Sequence, residues 1–155
     1  MNPPDVIDSA AGLAPGERVH AARRFRTTVV EATQASHDAL LFEPVAGLSS
    51  ADRLRVAAHA CDAAGAAALA AHYRALLQVQ PGADAPSPAL PAMQHFAATL
   101  TTDPRRGDQA AIQALKVAGL DDAAIVALAQ LVAFLSYQTR VVAGLKALQA
   151  AGAPQ

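Results

Sequence analysis

Apolar residues recur at helical spacing along most of this 155-residue chain, and proline and glycine mark the breaks between the apolar runs. Apolar positions from about residue 16 to residue 42 predict a first long helix, which ends at "EPVAG". "LSSAD" then predicts a helix start, because Ser49 can accept from free backbone N–H groups and Asp52 completes a capping-box-like pattern. This second helix is expected to reach about residue 78, with an interruption near Gly65.

The second half of the chain begins with a proline-rich segment, "QPGADAPSPALP", which predicts a loop over residues 80–91. A shorter helix is expected from about 91 to 101, ending at "TTDPRRGD". "QAAIQALKVAG" predicts a short helix that Gly119 stops. Asp121 then caps the longest helix, which is expected to run to about residue 150 and is apolar nearly all round.

No segment shows the sustained alternation that is typical of a strand, so the fold class is predicted to be all-α. The first residues contain Pro3, Pro4, Gly12 and Pro15. This composition predicts an extended N-terminal arm over residues 1–15, followed by a single helical domain over 16–152.

Composition and charge narrow the classes of function. Only 16% of the residues are charged, which is below the usual quarter and suggests that surface is hidden in a homo-oligomer. The formal net charge is −1 and no basic run exceeds two residues, so no nucleic-acid partner is expected. One cysteine excludes an internal disulfide framework, and the histidines lack metal-ligand spacing, so neither a metal nor a cofactor is expected.

The chain also lacks the pattern of a secreted or membrane protein. The N-terminus has no basic region followed by an apolar core, which argues against a signal peptide. The longest strongly apolar stretch, "IVALAQLVAFLSY", is interpreted as too short to span a bilayer. A soluble cytoplasmic protein is therefore expected.

Four polar residues interrupt the apolar run of the last helix: Gln130, Tyr137, Gln138 and Arg140. A charge buried in such a helix is costly unless it is paired. One explanation is that Arg140 is buried in an ion pair, with a carboxylate of this chain or of a second subunit. The candidate partners within the chain are Asp52, Glu31 and Asp38. The other explanation is a polar-lined ligand pocket, and the structural ion pair is the favoured of the two.

Three segments resemble a known family. "LDDAAIVALAQLVAFLSYQTRVVAGLKAL", residues 120–148, is similar to the closing helix of the carboxymuconolactone decarboxylase (CMD) domain. "DVIDSAAGLAPG" and "RFRTTVVEATQASHDALLFEP" resemble the N-terminal arm and first helix of the subgroup that has alkylhydroperoxidase-like partners. The resemblance covers most of the chain and implies an AhpD-like all-α bundle, assembled as a dimer, trimer or hexamer. It also implies an alkylhydroperoxidase-like protein as a candidate partner.

The peroxidase branch of that superfamily uses the pattern E-x11-C-x2-C-x3-H. One thiolate attacks the peroxide and the second resolves the sulfenic acid as a disulfide. When His72 is placed at the motif histidine, the two cysteine positions fall at Gly65 and Ala68, and the glutamate position falls at Arg53. Only the histidine of the motif is present, so thiol-peroxidase activity is not expected.

Cys61 lies one helical turn before Gly65, so it fills neither cysteine position of the motif. In an alanine-rich helix it is expected to be a small buried apolar residue. His59 is two residues away and points to a different face of the helix, so it does not supply a neighbouring base.

Three hypotheses remain. The first is a protein without thiol redox chemistry that serves as an oligomeric partner of a peroxidase-like protein. The second is an enzyme of decarboxylase type, in which a small carboxylic acid or lactone contacts Arg140 and His72 acts as acid or base. The third is a one-cysteine peroxidase that uses Cys61. The catalytic candidates are His72 and Cys61, and the pocket candidates are Arg53, His72, Gln130, Tyr137 and Arg140.

Overall fold

The computed structural model describes residues 5–152, which form eight α-helices and one 3-10 turn. In chain order these are α1 (Val6–Ala11), α2 (Arg18–Arg24), α3 (Thr27–Phe42), α4 (Ser50–Ala63), α5 (Ala67–Gln78), α6 (Leu90–Thr102), the 3-10 turn (Pro104–Arg106), α7 (Gln109–Val117) and α8 (Asp122–Gly152). No strand occurs within residues 5–152, so the predicted all-α class is confirmed.

The main helix boundaries lie where the capping residues predicted them. Ser49 Oγ accepts a hydrogen bond of 3.1 Å from the Asp52 backbone N–H at the start of α4. Gly65 separates α4 from α5 with a φ of 70°, a conformation that other residues rarely adopt. Asp121 Oδ1 accepts from the Ala124 N–H at 2.8 Å, which satisfies one of the free amides at the start of α8.

The prediction of an extended N-terminal arm is wrong for the segment that forms α1. Asp5 caps this helix by accepting the Asp8 N–H at 2.9 Å, and Gly12 ends it with a φ of 71°. The helix is almost entirely buried against α5 and α8, so it belongs to the core. Pro3 and Pro4 lie outside the described residues.

The predicted helix over residues 16–42 is two helices. The chain turns at Phe25 and Arg26, where neither proline nor glycine marks a break. Ion pairs hold α2 against α1: Arg23 lies 2.9 Å from Asp5, and Arg24 lies 2.6 Å from Asp8. These ion pairs fix the direction in which α2 runs, and the apolar pattern alone does not indicate that direction.

The helix α4 is the centre of the bundle, packed against α5, α6 and α8. Much of its surface is alanine, which allows neighbouring helices to approach closely. The helix α8 lies across α1, α3, α4 and α6, and nine of its 31 residues are buried. The 31-residue helix α8 contains an 18-residue stretch with a mean hydropathy of 1.5, so it is long and apolar enough to cross a membrane, contrary to our interpretation of its apolar stretch. This is weak support for a membrane role, because core helices of soluble proteins meet the same criterion.

Arg53, on α4, joins that helix to the end of α3. Its guanidinium is almost fully buried and donates to the carbonyl oxygens of Leu40 at 2.8 Å and Glu43 at 2.6 Å. A further hydrogen bond of 3.2 Å reaches Ser50 Oγ. Arg53 therefore satisfies carbonyls that the end of α3 leaves without helical partners, and its positive charge lies at the negative end of the helix dipole.

We expect Arg53→Ala to lower the free energy of unfolding by about 3 kcal/mol, because it removes charge-assisted hydrogen bonds and strands buried carbonyl oxygens. Urea denaturation followed by circular dichroism measures this. The matched control is Arg74→Ala, since Arg74 forms an exposed ion pair with Asp62. That variant should change the free energy of unfolding by less than about 1 kcal/mol. Equal effects in the two variants would contradict a structural role for Arg53.

Candidate functional site

Four polar side chains meet where α3, α5 and α8 converge: His37, His72, Tyr73 and Gln138, here called the histidine cluster. The Nε2 atoms of His37 and His72 are 3.4 Å apart. The Tyr73 ring lies against both imidazoles, with a centroid distance of 5.9 Å to His37 and 5.2 Å to His72. The Tyr73 hydroxyl donates to Gln138 Oε1. Three helices thus contribute to one polar cluster, in which His37, Tyr73 and Gln138 are buried and His72 is partly buried.

A carboxylate connects the histidine cluster to the surface. His37 is 3% exposed, and its Nδ1 lies 2.8 Å from Oδ1 of Asp38, whose side chain is 59% exposed. When Nδ1–H of a neutral His37 donates to Asp38, His37 Nε2 is left as an acceptor for Nε2–H of His72. Asp38, His37 and His72 then form a hydrogen-bonded chain that runs from the exposed Asp38 through the buried His37 to the partly buried His72. Such a chain can relay a proton.

Gln34 connects Asp38, beside the histidine cluster, to the N-terminal helix α1. Its Nε2 donates to Asp38 Oδ1 at 3.0 Å, and its Oε1 accepts from the Val6 backbone N–H at 3.2 Å. The carboxylate beside His37 is therefore oriented by a side chain that also anchors α1. This contact links the unpredicted N-terminal helix to the candidate site.

Burial controls protonation in this region. Desolvation, aided by the neighbouring His37, lowers the pKa of His72 to about 4, so His72 is neutral at neutral pH. Desolvation, together with Asp62, raises the pKa of Cys61 to about 12. Burial and the nearby Cys61 raise the pKa of Tyr73 as well. The Cys61 thiol is fully buried and stays protonated, which removes its nucleophilic form.

The cysteine positions of the motif lie elsewhere, at the junction between α4 and α5. Gly65 and Ala68 are exposed and line a cavity of about 210 Å³ together with Lys146. Cys61 is one turn earlier and does not line this cavity. Neither of these two positions carries a thiol.

The remaining pocket candidates from the sequence do not meet His72 in one site. Arg53 is buried at the end of α3, as described above. Gln130 is exposed on α8. Tyr137 is 43% exposed, and its hydroxyl lies 3.3 Å from Thr33 Oγ1 beside an apolar cavity of about 410 Å³ between α3 and α8.

The prediction that Arg140 is buried in an ion pair is wrong within the chain. Arg140 is exposed, forms no ion pair within residues 5–152, and lines an open cavity of about 250 Å³ with Thr101, Ser136 and Thr139. Of its proposed partners, Asp52 pairs with Arg55 at 2.9 Å. His72 does not line the Arg140 cavity. The inward polar residue of this part of α8 is Gln138, because position 140 lies on the outer face of the helix.

The sequence indicated His72 as a candidate, but it did not indicate that His37 and Gln138 belong to the same cluster. His37 lies 35 residues before His72, and no spacing rule connects the two positions. The amide of Gln138 was visible as a polar residue in an apolar helix. That pattern is the one signal that could have indicated a buried hydrogen bond.

No protein-family model and no curated protein matches this chain significantly. Among solved structures, the chain is similar to a crystal structure described as an uncharacterized peroxidase-related protein from Silicibacter sp. TM1040, with a TM-score of 0.62 and 19% sequence identity. The similarity covers 79% of this chain and 71% of that protein. At this identity the similarity establishes a shared helical fold.

We expect the folded protein to lose stability as the pH falls from 6.5 to 4, in part through His72. Its pKa is about 6.5 in an unfolded chain and about 4 in the fold, so the unfolded state binds more protons in this window. His72→Gln removes this contribution, and its melting temperature should fall less between those pH values. The control is His59→Gln, at an exposed histidine, which should follow the wild type. Parallel pH profiles for wild type and His72→Gln would refute the assignment.

Proposed function

We propose that this chain is a non-redox member of the AhpD-like superfamily, in the CMD group that lacks the Cys-x-x-Cys pair. In this proposal it serves as an oligomeric partner of an alkylhydroperoxidase-like protein in the cytoplasm. The helical fold shared with a peroxidase-related protein supports the superfamily. The residues at the motif positions support the loss of thiol chemistry.

The observation that carries the proposal is the state of Cys61. Peroxide reduction requires a thiolate that the peroxide can reach. Cys61 has no exposed surface, and burial raises the pKa of its thiol to about 12. A resolving cysteine is also absent, because the sequence contains only one cysteine. A one-cysteine peroxidase is therefore disfavoured.

Arg53 supports the same conclusion from the glutamate position. A carboxylate there would accept and release protons in the peroxidase pattern. The guanidinium instead donates to two carbonyl oxygens at the end of α3 and to the Ser50 hydroxyl at the start of α4, and it cannot act as a base. Arg53 therefore stabilises the fold at this position.

A second candidate is a non-redox enzyme of decarboxylase type that acts on a small carboxylic acid or lactone. The chain Asp38–His37–His72 favours it, because a neutral His72 joined to a carboxylate can transfer protons. Arg140 lies in a different cavity, so this candidate uses His72 without Arg140 as the anchor for the acid. The first proposal is the better supported, because no substrate cavity described above is lined by His72.

We predict that the purified protein does not reduce cumene hydroperoxide with dithiothreitol above the uncatalysed rate, because its thiol is protonated and enclosed. The folded protein should also fail to react with a thiol reagent such as 5,5′-dithiobis(2-nitrobenzoate) at neutral pH. The same reagent should titrate one thiol per chain after unfolding in guanidinium chloride. A peroxidase rate that disappears in Cys61→Ala would establish the one-cysteine mechanism instead.

Homo-oligomerisation is the second part of the proposal, and an apolar surface between α3 and α8 supports it. Val29 is 51% exposed and Tyr137 is 43% exposed, and both line the cavity of about 410 Å³ with Phe134. On α8, Val126 is 57% exposed. Adjacent exposed apolar side chains of this size are unusual on a monomer and are typical of subunit contacts.

We expect light scattering coupled to size exclusion to give at least twice the mass of one chain. Val29→Asp should shift the protein toward the monomer, because it places a charge in the proposed contact. Val117→Asp is the control, since Val117 is 79% exposed but lies on α7, away from this surface. A monomeric wild type, or dissociation by both variants alike, would argue against the proposed contact.

A further inference from the structure

The largest cavity among those described lies far from the histidine cluster, between α6, the 3-10 turn and α7. Its volume is about 480 Å³. Small-molecule sites typically occupy about 300–1,000 Å³. None of the residues of the histidine cluster lines it. The cavity is therefore a separate candidate site of suitable size.

One wall of this cavity is apolar and made mostly of alanine. Phe96 and Ala92 contribute from α6, while Ala111 and Ala114 contribute from one face of α7. Each alanine ends at a methyl group, so the facing helices leave space that longer side chains would fill. An apolar ligand body would be removed from water against Phe96 and these methyl groups, which is favourable.

The cavity is also lined by a cation. Arg106 lines the cavity and has no ion-pair partner within residues 5–152, whereas its neighbour Arg105 lies 3.1 Å from Asp103. The turn that carries Arg106 is pressed against α6. A Cβ added at Gly107 would lie only 2.5 Å from Leu100 Cδ2. This close approach restricts the backbone next to Arg106.

Other polar groups restrict the charge of a ligand. Asp108 also lines the cavity, and its Oδ1 accepts the Ala111 N–H at 3.0 Å as the cap of α7. Its carboxylate would repel any negative charge on a ligand, and Arg106 can compensate one such charge. Thr99 and His95 add hydrogen-bonding groups beside the apolar wall. Together, the groups that line the cavity suit a ligand with one carboxylate and an apolar body.

We propose that this cavity binds a small monocarboxylic acid, with the carboxylate on Arg106 and the apolar body against Phe96 and the alanines. A guanidinium binds a carboxylate through two parallel hydrogen bonds, which gives the site its orientation. This site is independent of the histidine cluster and of the proposed loss of thiol chemistry.

Isothermal titration of the full chain with 3-phenylpropionate tests the proposal, with 3-phenylpropionamide as the uncharged probe of the same shape. The wild type should bind the acid and should bind the amide much more weakly. Arg106→Gln should weaken binding of the acid by about tenfold or more, because it removes charge-assisted hydrogen bonds. Ala114→Leu should weaken it as well by filling the cavity, and circular dichroism should show an unchanged helix content.

Arg105→Gln is the matched control, because it removes the same charge from the adjacent residue, which does not line the cavity. It should bind the acid like the wild type. Equal weakening in Arg105→Gln and Arg106→Gln would show a diffuse electrostatic effect and overturn the site. Absence of binding to the wild type at millimolar acid, or unchanged binding in both Arg106→Gln and Ala114→Leu, would overturn it too.

Discussion

The burial of α4 constrains what the polar side chains on its inward face can do. Nine of its 14 residues are buried, and a buried polar group needs a hydrogen-bond partner inside the protein. Asp52 is held by Arg55 and by the Ser87 N–H at 3.2 Å, which fixes the proline-rich loop. Arg53 is held by carbonyls of α3. The central helix therefore organises the segments around it, and its only thiol, that of Cys61, is left without solvent.

The sequence predicted helices well where capping chemistry is local. The hydrogen bonds of Ser49 and Asp121 involve residues three positions away, so their side chains indicate the boundaries directly. The helix α1 was missed because prolines and a glycine surround it, although Asp5 carries a capping signal of the same kind. The break between α2 and α3 depends on ion pairs with α1, and no local pattern shows those contacts.

Of the four residues in the histidine cluster, only His72 was predicted from the sequence. His72 was found through a motif, but His37 and Gln138 come from other helices and have no fixed spacing to it. The apolar run of α8 led to Arg140 as a buried charge, because composition does not tell which face of a helix points inward. The structure instead buries the neutral amide of Gln138 against Tyr73. A neutral hydrogen-bonded pair costs less to bury than a guanidinium and its carboxylate.

The environment of a thiol in this fold would change within one helical turn. The junction at Gly65 and Ala68 is exposed and lies at the start of α5, where no side chain caps the first amides. A thiol there would be stabilised as thiolate by the helix dipole and by solvent. At Cys61, one turn earlier, desolvation acts in the opposite direction and raises the pKa to about 12. His72, which we placed at the histidine of the peroxidase pattern, contacts the imidazole of His37. His72 contacts His37, and His37 contacts Asp38, whose side chain is 59% exposed, so a proton can pass between this site and solvent without a cysteine.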